Sequence, residues 1–415
     1  MINICIYEDT GYKTLYPLTT TRPAYDLLLG IDRLFDKFYR YFSYANITLH
    51  CRPVLKNNTR RLYPKISINK VNTGSPGLFI NGRVVMTESL FNKLTNIDKE
   101  KSHLFMCQDQ VVAVYAAGKL LDSMKKLLDA VPSSEDIIKA VRSKCVTKDL
   151  DNVTMVTWPW DLINANKECL KQDFWYVNQP GVVKADVKPF VVINNETNVF
   201  IEKGAVIEDF VYLDASKGPI YIEKNAYIQS GSRLEGPLFI GQGTKVLGGK
   251  ITCSSIGKVC KVAGEVTDTV MMPFSNKAHS GFVGHSYIGE WVNLGAMTTT
   301  SNLKNTYGEV MLDYAGTKVA SGQNFLGTIF GDHVKTGIGT TLNTGTIIGF
   351  GSNIFGTGLH AKYIPEFSWG SPDKYEEYKL EKFFATAARV MARRGQSLEK
   401  DDQEFLKVLY SSKAG

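Results

Sequence analysis

Through the second half of the chain an aliphatic side chain returns every six residues, at Ile201, Ile207 and Leu213, then at Ile222, Ile228, Leu234, Ile240 and Val246, and later at Leu342, Ile348 and Ile354. Neither the 3.6-residue period of a helix nor the two-residue alternation of an ordinary strand produces that interval. It fits short strands joined by tight turns and wound into a parallel β-helix, three strands to a coil, with the recurrent aliphatic pointing into a narrow core. Gly, Asn and Ser between the aliphatics suit turns that need positive φ. At about three hexapeptides per coil and about 4.8 Å between stacked strands, residues 190–365 would make a prism of roughly ten coils.

Glycine usage marks where this pattern begins, since only seven of the 36 glycines precede residue 190. The reading is three segments: an α/β domain over 1–185, the β-helix over 186–370 and a helical tail over 371–415. In the first, short apolar strands (INICIY, NITLHC, GLFING, VVAVYAA) alternate with amphipathic stretches, YDLLLGIDRLFDKFYRYF and AGKLLDSMKKLLDAV, which predicts a parallel or mixed sheet with flanking helices. From Pro372, KYEEYKLEKFFATAARVMARR has helical spacing and stops at Gly395, and Ser397 can cap a second helix, LEKDDQEFLKVLY. Such a tail would cover the strand edges of the last coil or lean on a neighbouring subunit.

A formal charge of +7 over 415 residues, with no basic run interleaved with aromatics, gives no nucleic-acid footprint and only a mild attraction for phosphorylated anions. No apolar stretch reaches the 18 or so residues that cross a bilayer, and Glu8 and Asp9 fall where a signal peptide would be apolar, so a cytoplasmic protein with no membrane partner is expected. Its seven cysteines are scattered and lack any C-x-x-C pair, which predicts reduced thiols and no structural zinc.

The ladder is interrupted at KAHSGFVGHSYIGEWVNLGAMTTTSNLKNTYG, residues 277–308, which gathers His279, His285, Lys277 and three asparagines in a repeat that is otherwise chemically plain. Interruptions of a solenoid are where function is usually grafted. Gly284-His285, Ile288-Gly289-Glu290, Asn293-Leu294-Gly295-Ala296 and Ser301-Asn302-Leu303 resemble the acetyltransferase half of the GlmU family, with Met297 where the motif has a glycine. That family joins a sugar-1-phosphate nucleotidyltransferase domain to a left-handed β-helix that transfers acetyl from acetyl-CoA. The resemblance implies His285 as general base toward an amino-sugar phosphate, Lys277, Tyr287 and Asn302 as substrate-binding residues, and backbone amides at Gly337, Gly339 and Gly345 lining a CoA groove between subunits of a homotrimer. A neutral imidazole suits the proton transfer. A rival reading stacks His279 and His285 on adjacent rungs and adds His333 of another subunit to bind zinc; the absence of further ligands at the right spacing disfavours it.

LYPLTTTRPAYDLLLGIDRLF, residues 15–35, resembles the sugar nucleotidyltransferase opening, in which a G-x-G-T-R loop precedes x-x-P-L-T-x-x-x-P-K. Aligned on Pro17-Leu18-Thr19, the loop lacks its second glycine and its arginine, and Ala24 replaces the lysine after Pro23. Lys13 and Arg22 are the cations that remain to face phosphate. Where the family ends a strand in N-G-D and binds magnesium, this chain reads Asn81-Gly82-Arg83, and an arginine does not ligate a cation. Asp161 is either a residual metal ligand or the cap of the helix LINANKECL. Three functions follow: an acyltransferase carrying an inactive nucleotidyltransferase domain, a bifunctional enzyme that needs Mg2+, and a non-catalytic trimeric sugar-nucleotide scaffold. The residues favour the first.

Overall fold

The computed structural model describes residues 3–177 and 179–412. They form two compact units, one made of the chain up to Leu27 with Asp32–Trp158, the other of Leu28–Ile31 with the chain from Pro159 onward. No described helix is long and apolar enough to cross a membrane.

The first unit is built on a seven-stranded mixed sheet in the order Ser67–Ile68, Asn46–His50, Asn3–Tyr7, Gly77–Asn81, Gln110–Ala116, His103–Cys107, Val146–Asp149. Pairing is parallel as far as Gly77–Asn81 and antiparallel on both edges of Gln110–Ala116. Leu78, Phe79 and Ile80 are buried in succession, as in a strand covered on both faces. Helix Lys119–Asp129 turns Leu120, Leu121, Met124 and Leu128 inward, and Ser133 with Asp136 forms a capping box for helix Ser134–Val141. The helix expected from YDLLLGIDRLFDKFYRYF begins only at Leu34. Before it lie the 3-10 turn Ala24–Asp26 and the strand Leu28–Leu29, which Gly30, in the left-handed region at φ +71°, separates from the helical residues.

In the second unit the six-residue step carries the chain from one row of strands to the next. Three parallel rows stack, beginning at Asp186–Val187, Val192–Asn194 and Val199–Ile201, and the third contains nine strands. Each coil places one residue from each row in the interior: Ile207, Leu213 and Ile222 in one coil, Ile228, Leu234 and Ile240 in the next, each with no exposed surface. The interior is one continuous aliphatic column from Val199 to Ile364.

Among the described residues, a charged side chain also enters the interior. Lys277 pairs with Val262 in the first row and points inward, 2 % exposed. Its methylenes fill the core, and its ammonium reaches the corner to donate to the carbonyl oxygens of Ala263 and His279, each at 2.8 Å. Burial pulls its pKa down to about 8.

The compact second unit starts before the glycine pattern changes near residue 185, because helix Pro159–Val177 packs on the prism. Its Leu170 and Phe174 close over Phe200, Tyr221 and Phe239 of the third row, and Asn166 Oδ1 accepts from the hydroxyl of Ser255 at 2.8 Å.

The tail differs from expectation at its start. Lys374–Glu377 is a strand, paired antiparallel with Ser368–Ser371, and helix begins at Leu380, because the hairpin covers the open edge of the last coil. Helices Leu380–Ala392 and Lys400–Ser412 follow. Phe383 docks among Phe350, Phe367 and His333. It fits because Gly351 carries no side chain there; a Cβ on Gly351 would lie 3.0 Å from the Phe383 ring, at a backbone φ of +68°. Truncating this 2 %-exposed ring, Phe383→Ala, should cost about 3–5 kcal/mol of the second unit's stability. Chemical denaturation would measure it, and a loss below about 1 kcal/mol would show that the tail does not hold the end of the prism.

Candidate active site

Because the rows are in register, residues that leave the second row at the same point stack on one corner of the prism. Thr252, Thr267 and Gly284 pair across successive coils, so Cys253, Asp268 and His285, which follow them, form a column. All three adopt left-handed backbone, at φ +48°, +46° and +46°. Non-glycine residues in this conformation are costly and concentrate where the chain must turn or present a side chain.

His285 is bonded at one ring nitrogen and faces a carboxylate with the other. Nδ1 lies 2.9 Å from the side-chain amide of Asn302, and Nε2 lies 3.8 Å from Asp268 Oδ2. Asp268 is oriented in turn by the hydroxyl of Thr267 at 2.8 Å, which accepts from Thr252 at 2.9 Å. The ring of Phe325 covers one face of the imidazole, 5.2 Å between centroids and inclined by 26°. Burial lowers the pKa of His285 and the Asp268 carboxylate opposes that shift, so the group favours the neutral form more than an exposed histidine does.

Of the residues expected beside it, only Asn302 joins His285. Lys277 is turned into the core as described and presents no ammonium to a phosphate. Tyr287 is fully buried and its hydroxyl donates to the carbonyl of Leu28 at 3.0 Å, pinning the segment that crosses into this unit. The amides of Gly337, Gly339 and Gly345 already donate to Ile354, Ala296 and Gly327 within the coil stack, so they do not line an open groove. His279 and His285 stand at opposite ends of one strand, Phe282–Gly284, and not on adjacent rungs, while the His333 ring lies among Trp291, Phe350 and Phe383 at another corner. Among the described residues no group of three or more His, Cys, Asp or Glu side chains could hold a metal ion.

Asp268 and Phe325 were not expected. Asp268 lies one coil before His285, but that coil is 17 residues long, so three six-residue steps back from the histidine fall on Thr267 and miss it. Phe325 follows an insertion that breaks the period, and no spacing rule reaches it.

In the first unit, Arg83 is 3 % exposed and forks onto Asp9, with Nε to Oδ1 at 2.8 Å and Nη2 to Oδ2 at 2.7 Å. Its remaining donors bond the carbonyl of Val156 at 3.0 Å and Gln110 Oε1 at 2.9 Å. Asn81 donates to the same aspartate, whose Oδ1 also caps the 3-10 turn Thr10–Leu15 through the amide of Gly11. The guanidinium lies directly on Gly11 and leaves no room there for any added atom. A carboxylate committed to an arginine, an asparagine and a backbone amide does not suit a magnesium ion. Arg22 is buried against Asp26 at 3.0 Å, and Lys13 alone of the expected cations is exposed. Arg52 draws in the neighbouring Glu8 and lies over the Tyr12 ring at 4.2 Å, so the segment where the Gly-rich loop would be is fastened from both sides. Asp161 belongs to the second unit, in the first turn of helix Pro159–Val177 and not at its cap. Burial, with the Asp161 charge adding to it, pushes the Tyr314 hydroxyl's pKa upward.

Residues 4–180 match the sugar nucleotidyl transferase family model. A bifunctional sugar-1-phosphate nucleotidylyltransferase/acetyltransferase of Sulfurisphaera tokodaii is 31 % identical over 208 residues, 48 % of this chain and 43 % of that protein. Bifunctional GlmU proteins of Methanococcus vannielii and Methanocaldococcus jannaschii are 31 % and 29 % identical, covering 51 % and 56 % of this chain and 45 % and 48 % of theirs. The chain thus spans just under half the length of the curated relatives it matches. Among solved structures, LpxA of Acinetobacter baumannii aligns over 52 % of this chain and 78 % of its own at 15 % identity and a TM-score of 0.26, a likeness too slight to carry an argument. In sequence the chain is thus similar to bifunctional sugar-1-phosphate nucleotidylyltransferase/acetyltransferases and GlmU proteins, with the sugar nucleotidyl transferase match lying in residues 4–180.

Proposed function

We propose that the chain is an acyltransferase that moves an acetyl group from acetyl-CoA to the nitrogen of an amino-sugar 1-phosphate, as a homotrimer, and that its first unit no longer transfers nucleotides. The observation that carries the reading is the arrangement at His285: a half-buried imidazole favouring the neutral form, held by an amide at one nitrogen and facing a carboxylate at the other.

Asn302 Nδ2 lies at Nδ1; with the amide turned over, its oxygen accepts from Nδ1–H, which leaves the lone pair on Nε2. Nε2 takes a proton from the attacking amine as nitrogen bonds to the thioester carbonyl carbon. The C–S bond then breaks, and the imidazolium returns that proton to the leaving sulfur. Between these steps the positive ring lies beside Asp268, whose charge stabilises it. Acetyl-CoA would supply only the acyl group and the thiol leaving group.

His285→Ala should lower acyl transfer by about a hundredfold or more without disturbing assembly, since losing a positioned base typically costs 10²–10⁴. Thiol release from acetyl-CoA across a panel of amino-sugar 1-phosphates would measure it, and full activity in the variant would sink the reading. Activity should depend on the neutral imidazole, so it falls on the acid side, at a pH below the ordinary histidine value because burial lowers the pKa of His285.

Light scattering should give three times the 46.2-kDa chain mass. A monomer would count against a site built where prisms meet.

Nucleotidyl transfer should be weak or absent. Robust magnesium-dependent pyrophosphate release from UTP or dTTP with a sugar 1-phosphate would overturn this. Arg83→Asp should not restore it, because the change would leave two buried carboxylates facing each other beside a closed loop.

A further inference from the structure

The seventh coil leaves the prism after Asn302 and returns at Leu326, and the excursion is tied down at its base. Leu303 and Phe325 pair as an antiparallel bridge, the amide of Leu326 donates to Asn302 at 2.9 Å, and that of Gly327 donates to the carbonyl of His285 at 2.8 Å. Farther out, the strands Met311–Tyr314 and Thr317–Ala320 form a hairpin. Val310 and Leu312 are buried, and the hydroxyl of Ser321 bonds the carbonyl of Val310 at 2.6 Å. Val310 and Leu312 lie against Gly345 of the coil stack, so the excursion is a scaffold fixed on the prism. Its two ends deliver the two side chains that touch the imidazole, Asn302 to Nδ1 and Phe325 to the ring face.

Phe325 is nonetheless 48 % exposed. A large apolar ring left half in solvent, with its other side on a histidine that holds a left-handed backbone, is not there to fill the prism, whose interior column does not include it. We infer that Phe325 is a positioning residue for His285: its ring fixes the plane of the imidazole and shields one face from water, so that the insertion at 303–325 acts as a clamp on the base. The inference rests on the acyl-transfer reading only for its catalytic consequence.

The groups that face the imidazole are Asp268 from the preceding coil and Asn302 and Phe325 from the two ends of the insertion; Cys253 lies one coil beyond Asp268. Only Asp268 among them carries charge at neutral pH, and it raises the pKa of His285, whereas desolvation, the larger influence, lowers it. Removing the shield therefore moves the titration upward. The aromatic face would also favour an imidazolium, and losing that contact acts in the opposite sense; the desolvation that leads among the causes sets the expected direction.

The test uses the full-length protein with isotope-labelled histidine, following the His285 ring by NMR through a pH titration in the wild type, Phe325→Ala and Phe325→Tyr. Phe325→Ala should raise the midpoint toward the ordinary histidine value and Phe325→Tyr should restore it. In acyl-transfer assays Phe325→Ala should lower kcat by about tenfold or more, the scale on which misplacing a reacting group acts, leave KM for acetyl-CoA unchanged, and move the acid limb of the profile upward. An unchanged or lowered midpoint in Phe325→Ala would overturn the inference. If the midpoint shifts as expected while the wild type transfers no acyl group to any acceptor, the clamp stands and the acyl-transfer reading falls. Circular dichroism guards against misfolding, and Phe325→Leu, which keeps apolar bulk without a ring, should behave like Phe325→Ala if stacking positions the base.

Discussion

Everything in the second unit depends on the register between stacked strands. Each coil must return above the one before it for its backbone amides and carbonyls to pair, and a buried amide without a partner is expensive enough that the pairing tolerates no slip. Once the rows are in register, interior residues and corner residues stack without further instruction. The column of Cys253, Asp268 and His285 is a by-product of that pairing, and so is the run of Phe274 and Trp291 at another corner, whose rings lie 4.4 Å apart and nearly parallel. The carboxylate meets the histidine because the backbone places it there, and the hydroxyls of Thr252 and Thr267 then steady it.

The first unit shows the same sheet logic put to a different end. Asp9 stands just beyond strand Asn3–Tyr7, where the chain turns out of the sheet, and Arg83 reaches it from the turn after the neighbouring strand. Parallel strands bring such ends together, which is why ligands of open α/β sheets bind at the carboxyl ends of strands. Here two arginines have taken the place. With Arg83 on Asp9 and Arg52 on Glu8, the charges that would meet a nucleotide meet each other, and Glu8, buried, is pushed up to about 7 despite its partner. Removing one member of such a buried pair costs more than the pair contributes, so the arrangement resists reversal by any single substitution.

How far the sequence could be read follows from how strictly each part obeys a period. Ile201 to Leu213, Ile222 to Val246 and Leu342 to Ile354 keep the six-residue step and were legible as β-helix at once. Between them the turns shorten: Ile251 and Ile256 lie five residues apart and Val262 and Val266 four, so the ladder fades although the coils continue. Lys277 was assigned to substrate through the resemblance, whereas its place in the ladder, paired with Val262, turns it inside. Tyr287 fell into a motif match, but its direction is set by the segment at Leu28, far away in sequence. His285 and Asn302 were found through resemblance; the carboxylate one coil away is missed by the six-residue step because the coil is shortened to 17 residues, and Phe325 follows an insertion that no spacing reaches.

The corner geometry has a consequence for ligand selection. Side chains on one corner are separated by whole multiples of the strand spacing, about 4.8 Å, because nothing in the fold permits a fractional coil. The prism is therefore a ruler with fixed gradations. Cys253 lies two gradations from His285, and Asp268 one. A molecule that engages two groups on such a corner must span a distance the backbone has already set, and a change in its preferred length must come in steps of one coil, by moving a side chain to the next rung, where the same left-handed turn stands ready to present it.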